Sequence, residues 1–139
     1  MASTADFDRY EGVYEGSPDY QEGTPPFANE GGGLVFDVAG KPVVQRTFEL
    51  RFKLVVPNAT KCPMPAAGYP IVMYAHGTTG DYASFTKDGT SDGLLAKCIA
   101  SMGVDQIFHG TRPGAPPLTD PDRDTKIELA FFNLSNATA

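Results

Sequence analysis

Tyr69 to Phe85 reads YPIVMYAHGTTGDYASF. Its uncharged run, Ile71 to Ala75, stops at His76, and Gly77, Thr78, Thr79 and Gly80 follow with little side chain. An apolar run of this length without alternation predicts a strand covered on both faces, as in the middle of a parallel sheet. Small residues after it let the backbone turn sharply and approach a ligand closely. In open parallel sheets, ligands bind beyond the carboxyl ends of the strands, where this loop falls. Main-chain N–H groups there can face a developing negative charge, the chemistry of an oxyanion hole. An ordinary strand-to-helix turn that merely needs glycine accounts for the pentapeptide equally well.

Upstream, Leu34 to Pro57 reads LVFDVAGKPVVQRTFELRFKLVVP. Phe48, Leu50, Phe52, Leu54 and Val56 alternate with polar residues, which is period two and predicts a long strand over Val43–Val56. Leu34–Val38 is expected as a shorter strand joined to it by a turn at Ala39-Gly40-Lys41, giving an antiparallel hairpin. Residues 1–33, rich in Gly, Pro, Tyr and acids, read as an irregular segment draped over the sheet. Downstream, a short helix is expected to start near Ser91 or Asp92, either of which can cap it. Cys98 to Asp105 reads as a second buried strand. A polar, proline-rich loop, Gln106–Asp124, leads to a last helix in which Ile127, Ala130, Phe131 and Leu134 share one face. Strand, helix and strand in that order predict an α/β fold: an antiparallel hairpin leading into parallel strands with a right-handed crossover helix.

Composition narrows the function. The 139 residues are 41% hydrophobic and 20% charged, with fifteen glycines and twelve prolines. That is a soluble domain's hydrophobic content with many turns. A net charge of −6 argues against nucleic acid and anionic membrane surfaces as partners. No apolar run reaches membrane-spanning length, and the start, MASTADFDRYEG, lacks the apolar core of a signal peptide. The protein is then cytoplasmic, or its parent is exported with a leader outside this sequence. Cys62 and Cys98 are consistent with either a disulfide or two free thiols. Three Asn-x-Ser/Thr triplets, at Asn58, Asn133 and Asn136, matter only where exported proteins are glycosylated.

Three arrangements bear on chemistry. Gly89-Thr90-Ser91-Asp92-Gly93 matches a G-x-S-x-G nucleophile motif, and Asp105 and His109 follow in the order Ser, Asp, His. That elbow needs a buried strand immediately ahead of the serine, whereas Asp81–Asp88 is mostly polar. A helix cap is the plainer role for Ser91, and a loop histidine bonded to backbone the plainer role for His109. A zinc site from His76, His109 and Asp105 has no supporting ligand spacing, so no metal is expected.

With these residues in view, Tyr69–Phe85 followed by LLAKCIASMGVDQIFHGTR (Leu94–Arg112) resembles the N-terminal part of an α/β-hydrolase of the bacterial esterase and lipase type. In that family an apolar strand ends in a His-Gly oxyanion loop, and the next strand ends in Asp before a His-Gly-Arg-like loop. ELAFFNLSNATA (Glu128–Ala139) resembles the helix that precedes the nucleophile strand. The resemblance spans roughly residues 34–139. It implies a serine hydrolase without cofactor, acting on a small-molecule ester or lipid. Gly77, Thr78 and Thr79 would form part of the oxyanion hole, with His76 and Gly80 supporting the loop. Gln106–Asp124 and the last helix would border the acyl pocket, with Phe131 and Phe132 as apolar lining. The family's nucleophile follows later in its sequence. The expected protein is therefore a partial hydrolase domain, truncated before the elbow and completed by a missing C-terminal segment or a second chain. The alternatives are a non-catalytic binding or structural domain derived from that fold, and a small hydrolase using Ser91. On the fragment reading, the strand Ile99–Asp105 presents an unpaired edge.

Overall fold

The structure, a computed structural model, describes residues 2–3, 7–27 and 31–137, with side chains for 7–27 and 31–130. Among these residues the chain forms β1 (Ala2–Ser3), β2 (Phe7–Asp19), β3 (Arg46–Pro57), β4 (Ile71–Tyr74), α1 (Thr90–Leu95), β5 (Ala100–Val104) and α2 (Arg123–Ala137). A 3-10 turn, Ser84–Thr86, lies between β4 and α1. The strands form one mixed sheet in the order β1-β2-β3-β5-β4. Antiparallel pairing joins β3 to β5, with Phe52 opposite Val104 and Val55 opposite Ser101. Parallel pairing joins β4 to β5, with Ile71 opposite Ala100 and Tyr74 opposite Gly103.

This architecture overturns the α/β fold class expected from the sequence, including the partial α/β-hydrolase arrangement of parallel strands and crossover helix. Strand dominates, and the sheet holds one parallel pair among antiparallel ones. The helix in the β4–β5 connection has only six residues, too short to cover a sheet face as an α/β layer requires.

The chain falls into two compact units, residues 1–13 with 51–105 and residues 14–50 with 106–139. In the first, the core gathers Val55, Ala83, Phe85 and Ala100, all buried, with Phe85 fully so. Its ring stacks at a tilt on Tyr74, centroids 5.8 Å apart. Burying a phenylalanine completely contributes about 2–3 kcal/mol. Cys62 and Cys98 form a disulfide, Cα atoms 5.6 Å apart, which settles the alternatives left open by the sequence. Cross-linking residues 36 apart in sequence stabilises the native chain by about 4 kcal/mol in the chain-entropy account.

Residues 1–33 contain a thirteen-residue strand, β2, where irregular chain was expected. Its Gly12 lies across from the Phe52 ring; a Cβ there would stand 3.0 Å from the ring carbons. The glycine that reads as a strand breaker is the space for an aromatic neighbour.

In the second unit, Phe27 and Phe108 pack with centroids 6.2 Å apart, joined by Ala130 of α2 and half-buried Ile107. Ile127, fully buried, shares the inward face of α2. Leu34–Val38 forms no strand. Leu34 and Phe36 make isolated bridges to Gln21 and Pro42, and the Asp37 carboxylate accepts from the Ala39 and Lys41 amides to hold the turn. Leu34 and Phe36 are exposed, so no burial rewards a longer ladder. The side chains of Phe131, Phe132, Asn133, Leu134 and Asn136 lie outside the described residues.

The position of β4 also differs from expectation. It is the sheet's edge, and Ile71, Val72 and Met73 are 52%, 38% and 59% exposed, not covered on both faces. The strand Ile99–Asp105, expected at an edge, holds β5 inside the sheet, between β3 and β4. The Ala100 amide donates to the Pro70 carbonyl at 2.9 Å. Alternation along a parallel strand then turns the peptide groups of Val72 and Tyr74 toward β5 and those of Ile71 and Met73 outward. An edge of four uncharged residues with neither lysine nor bulge is unprotected against pairing.

Candidate functional site

His76–Gly80 follows the carboxyl end of β4. The Gly80 amide donates to the Gly77 carbonyl at 3.1 Å, closing a four-residue turn. Thr79, third in that turn, has φ +68°, the left-handed value that a type II turn requires there. A β-branched residue in that region is strained. His76 is buried, and its Nδ1–H donates to the Gly77 carbonyl at 2.8 Å, which fixes the proton on Nδ1 because a carbonyl only accepts. The same carbonyl thus receives the imidazole and the Gly80 amide. Gly80 packs against the histidine so closely that a Cβ would lie 2.9 Å from both His76 Cβ and Nδ1. The turn is locked from beneath while Gly77, Thr78 and Thr79 stay exposed.

Two amides of this turn stay out of its internal pairing. Among the described residues, the N–H groups of Gly77 and Thr78 find no backbone acceptor, whereas that of Gly80 is consumed inside the turn. Adjacent N–H groups held by a rigid turn at a strand's end are donors preorganised for an anion.

The nearest acid is disarmed by its own neighbours. Burial alone would raise the Asp81 carboxyl. The Lys87 ammonium, 2.9 Å from Oδ2, together with the Ala83 amide and the Ser84 hydroxyl outweighs burial and holds the carboxyl below its ordinary value. Its charge is spent on the Lys87 ion pair and on the Ala83 amide and Ser84 hydroxyl. Tyr74, at the end of β4, donates to the Asp88 carboxylate at 2.6 Å, so its phenol is raised and Asp88 is lowered.

The other candidate residues have structural roles. Ser91 is buried inside α1, whose N-cap is Gly89 at φ +84°. The Asp88 carboxylate accepts the Thr90 amide at 2.9 Å, so neither Ser91 nor Asp92 caps the helix. No strand immediately precedes Ser91, and the strained elbow of a nucleophile is not built. Asp105, fully buried, accepts two hydrogen bonds from Arg51, from Nε at 2.7 Å and Nη2 at 3.2 Å, and a third from the Tyr82 amide at 3.1 Å. The Asp105 hydrogen bond raises the Arg51 guanidinium against the opposing effect of burial. Arg51 also lies over the Tyr82 ring, 4.6 Å from its centroid. In the second unit, His109 is buried and its Nδ1–H donates to the Ile107 carbonyl at 2.7 Å. Among the described residues no cluster of three or more His, Cys, Asp or Glu is placed to hold a metal ion.

Within the second unit, the loop after Gln106 and α2 border an apolar cavity of about 330 Å³, lined by Gly114, Pro116, Pro117, Leu129 and Ala130. The Asp120–Lys126 ion pair, 2.6 Å, stands at its lining. The first unit has a cavity of about 370 Å³ walled by Phe7, Cys62, Leu95 and Ala96. Neither is lined by His76–Gly80.

Sequence reasoning missed the Arg51–Asp105 pair, whose members lie 54 residues apart. The signal was faint: a charged residue inside an alternating strand and an acid at a buried strand's end. No helix among the described residues is long and apolar enough to cross a membrane. Comparison with protein-family models, curated proteins and solved structures finds no match to this chain.

Proposed function

We propose that the chain contributes the oxyanion-binding loop of a carboxylic ester hydrolase and that the attacking hydroxyl is not among its own residues. The observation that carries this reading is the pair of exposed residues, Gly77 and Thr78, whose amides find no backbone acceptor on a turn braced by buried His76. In the reaction a serine hydroxyl adds to the ester carbonyl and its proton passes to a base. The carbonyl oxygen takes up negative charge against the two N–H groups. Collapse expels the alcohol and leaves an acyl-enzyme, which water then hydrolyses. One such donor is worth about 3 kcal/mol in the transition state. The substrate class is a small ester or lipid, and the chemistry needs no cofactor.

The resemblance of Tyr69–Arg112 to the esterase and lipase group supports this reading, as does the placement of the turn at the carboxyl end of a parallel strand. A second reading, a non-catalytic binding or structural domain, is favoured by one observation: neither cavity above is lined by the loop. A fluorophosphonate probe and an ester assay separate the two. The expected result is no labelling of the 139-residue chain, with hydrolysis of p-nitrophenyl butyrate by the product of the whole open reading frame and its label outside residues 1–139. Label on Ser91, or a whole product that neither labels nor hydrolyses esters, overturns the proposal.

A further inference from the structure

Cys98 ends α1 in a left-handed conformation, φ +56°. The chain around it makes both hydrogen bonds of a Schellman stop, from the Cys98 amide to the Leu95 carbonyl at 3.0 Å and from the Ile99 amide to the Leu94 carbonyl at 3.1 Å. Glycine fits that position without strain, and a residue with a Cβ costs about 1–2 kcal/mol there. Here the Cβ carries a sulfur bonded to Cys62.

The two ends of that bond differ. Cys62 is 8% exposed, its carbonyl accepts from the Tyr69 hydroxyl at 2.5 Å, and it walls the 370 Å³ cavity beside Leu95 and Ala96. Cys98 is exposed. Each cysteine directly follows a lysine, Lys61 and Lys97.

We propose that Cys98 is a site of S-thiolation, at which a small anionic thiol exchanges with the Cys62–Cys98 disulfide. The incoming thiolate sulfur bonds to Cys98 Sγ as the Cys62–Cys98 bond breaks. The electron pair leaves on Cys62 Sγ, which takes a proton from water, so one disulfide is exchanged for another with no external oxidant. Attack falls on Cys98 because its residue is the accessible one, and the leaving sulfur is the buried one. Lys97, exposed and adjacent in the chain to Cys98, raises the local concentration of anionic thiols there. The product detaches the Asn58–Tyr69 segment from the end of α1 and frees one wall of the cavity. This inference is independent of the ester-hydrolase reading.

The test incubates the oxidised full chain with reduced glutathione in native buffer, alkylates with iodoacetamide and maps the peptides. The expected product carries glutathione on Cys98 and the alkyl group on Cys62, forms at a rate linear in glutathione and is insensitive to low urea. Lys97→Glu slows the reaction about threefold or more with glutathione, from reversal of one charge near an anion, but leaves the rate with neutral 2-mercaptoethanol unchanged. Glutathione on Cys62, a rate that tracks global unfolding, or equal slowing with both thiols overturns the proposal.

Discussion

Thr78→Pro is a direct probe of the anion-binding turn. Thr78 is the second residue of a turn whose third residue has φ +68° and whose ends are joined by the Gly80–Gly77 hydrogen bond. Proline is favoured at that second position, because its fixed φ of about −65° suits the turn. The change deletes one N–H and leaves the bracing bonds of His76 and Gly80 intact. It also presses Gly77 toward extended backbone, and no neighbour stands within 4 Å of where a Gly77 Cβ would be. Stability is therefore expected to hold or rise by about 0.4–1 kcal/mol, from reduced freedom of the unfolded chain. Loss of one oxyanion donor removes about 2.7–4 kcal/mol of transition-state stabilisation, roughly 10²–10³ in kcat. The assay is p-nitrophenyl butyrate hydrolysis by the product of the whole open reading frame, with thermal melting in parallel and Thr78→Ala, which retains the amide, as control. Proline activity within a few fold of the alanine control, at unchanged Tm, would refute the reasoning.

Other perturbations follow from the same structure. Arg51→Ala leaves the fully buried Asp105 carboxylate without its bidentate partner. A loss of about 3 kcal/mol is expected, the low end for a broken buried pair since Arg51 is partly exposed; denaturant unfolding that shows less than about 1 kcal/mol would contradict the assigned role. Asp81 is held below its ordinary value, so it binds fewer protons folded than unfolded. Its stabilisation is present above the unfolded carboxylate range near pH 4 and is lost as pH falls through the lower folded value. Asp81→Asn is expected to flatten the acid limb of a Tm-against-pH curve, and a parallel curve would count against it. Met73→Lys places a charge on the exposed β4 edge, and sedimentation is expected to show less self-association than for the unaltered chain; equal association would exclude β4 as the contact.

Legibility in the sequence followed locality. The alternation from Phe48 to Val56 located β3, and the compact run before Asp105 located β5, although the alternating set of β3 is only half-buried and Lys53 and Val55 of the other face are buried. The order of the strands was not legible. Ile71–Tyr74 has the composition of a central strand, and its edge position depends on long-range pairing with Ala100–Gly103. β2 was hidden by Gly12, Gly16 and Pro18, whose usual meaning is a break, although Gly12 answers to the Phe52 ring. The start of α1 near Ser91 was legible to within a residue, but its cap was not: Gly89 at φ +84° holds the cap position and the Asp88 side chain takes the Thr90 amide. At the candidate site, the small residues after β4 pointed to a sharp turn. Which amides it exposes, and that His76 locks it through the Gly77 carbonyl, became visible only in three dimensions.

The most direct measurement is an amide-resolved NMR titration of the 139-residue chain with dimethyl phosphate, a tetrahedral monoanion. The Gly77 and Thr78 N–H resonances are expected to move together and saturably, while Gly80, already bonded within the turn, shifts little. If Gly77 and Thr78 stay still while signals elsewhere respond, the turn does not hold an anionic oxygen.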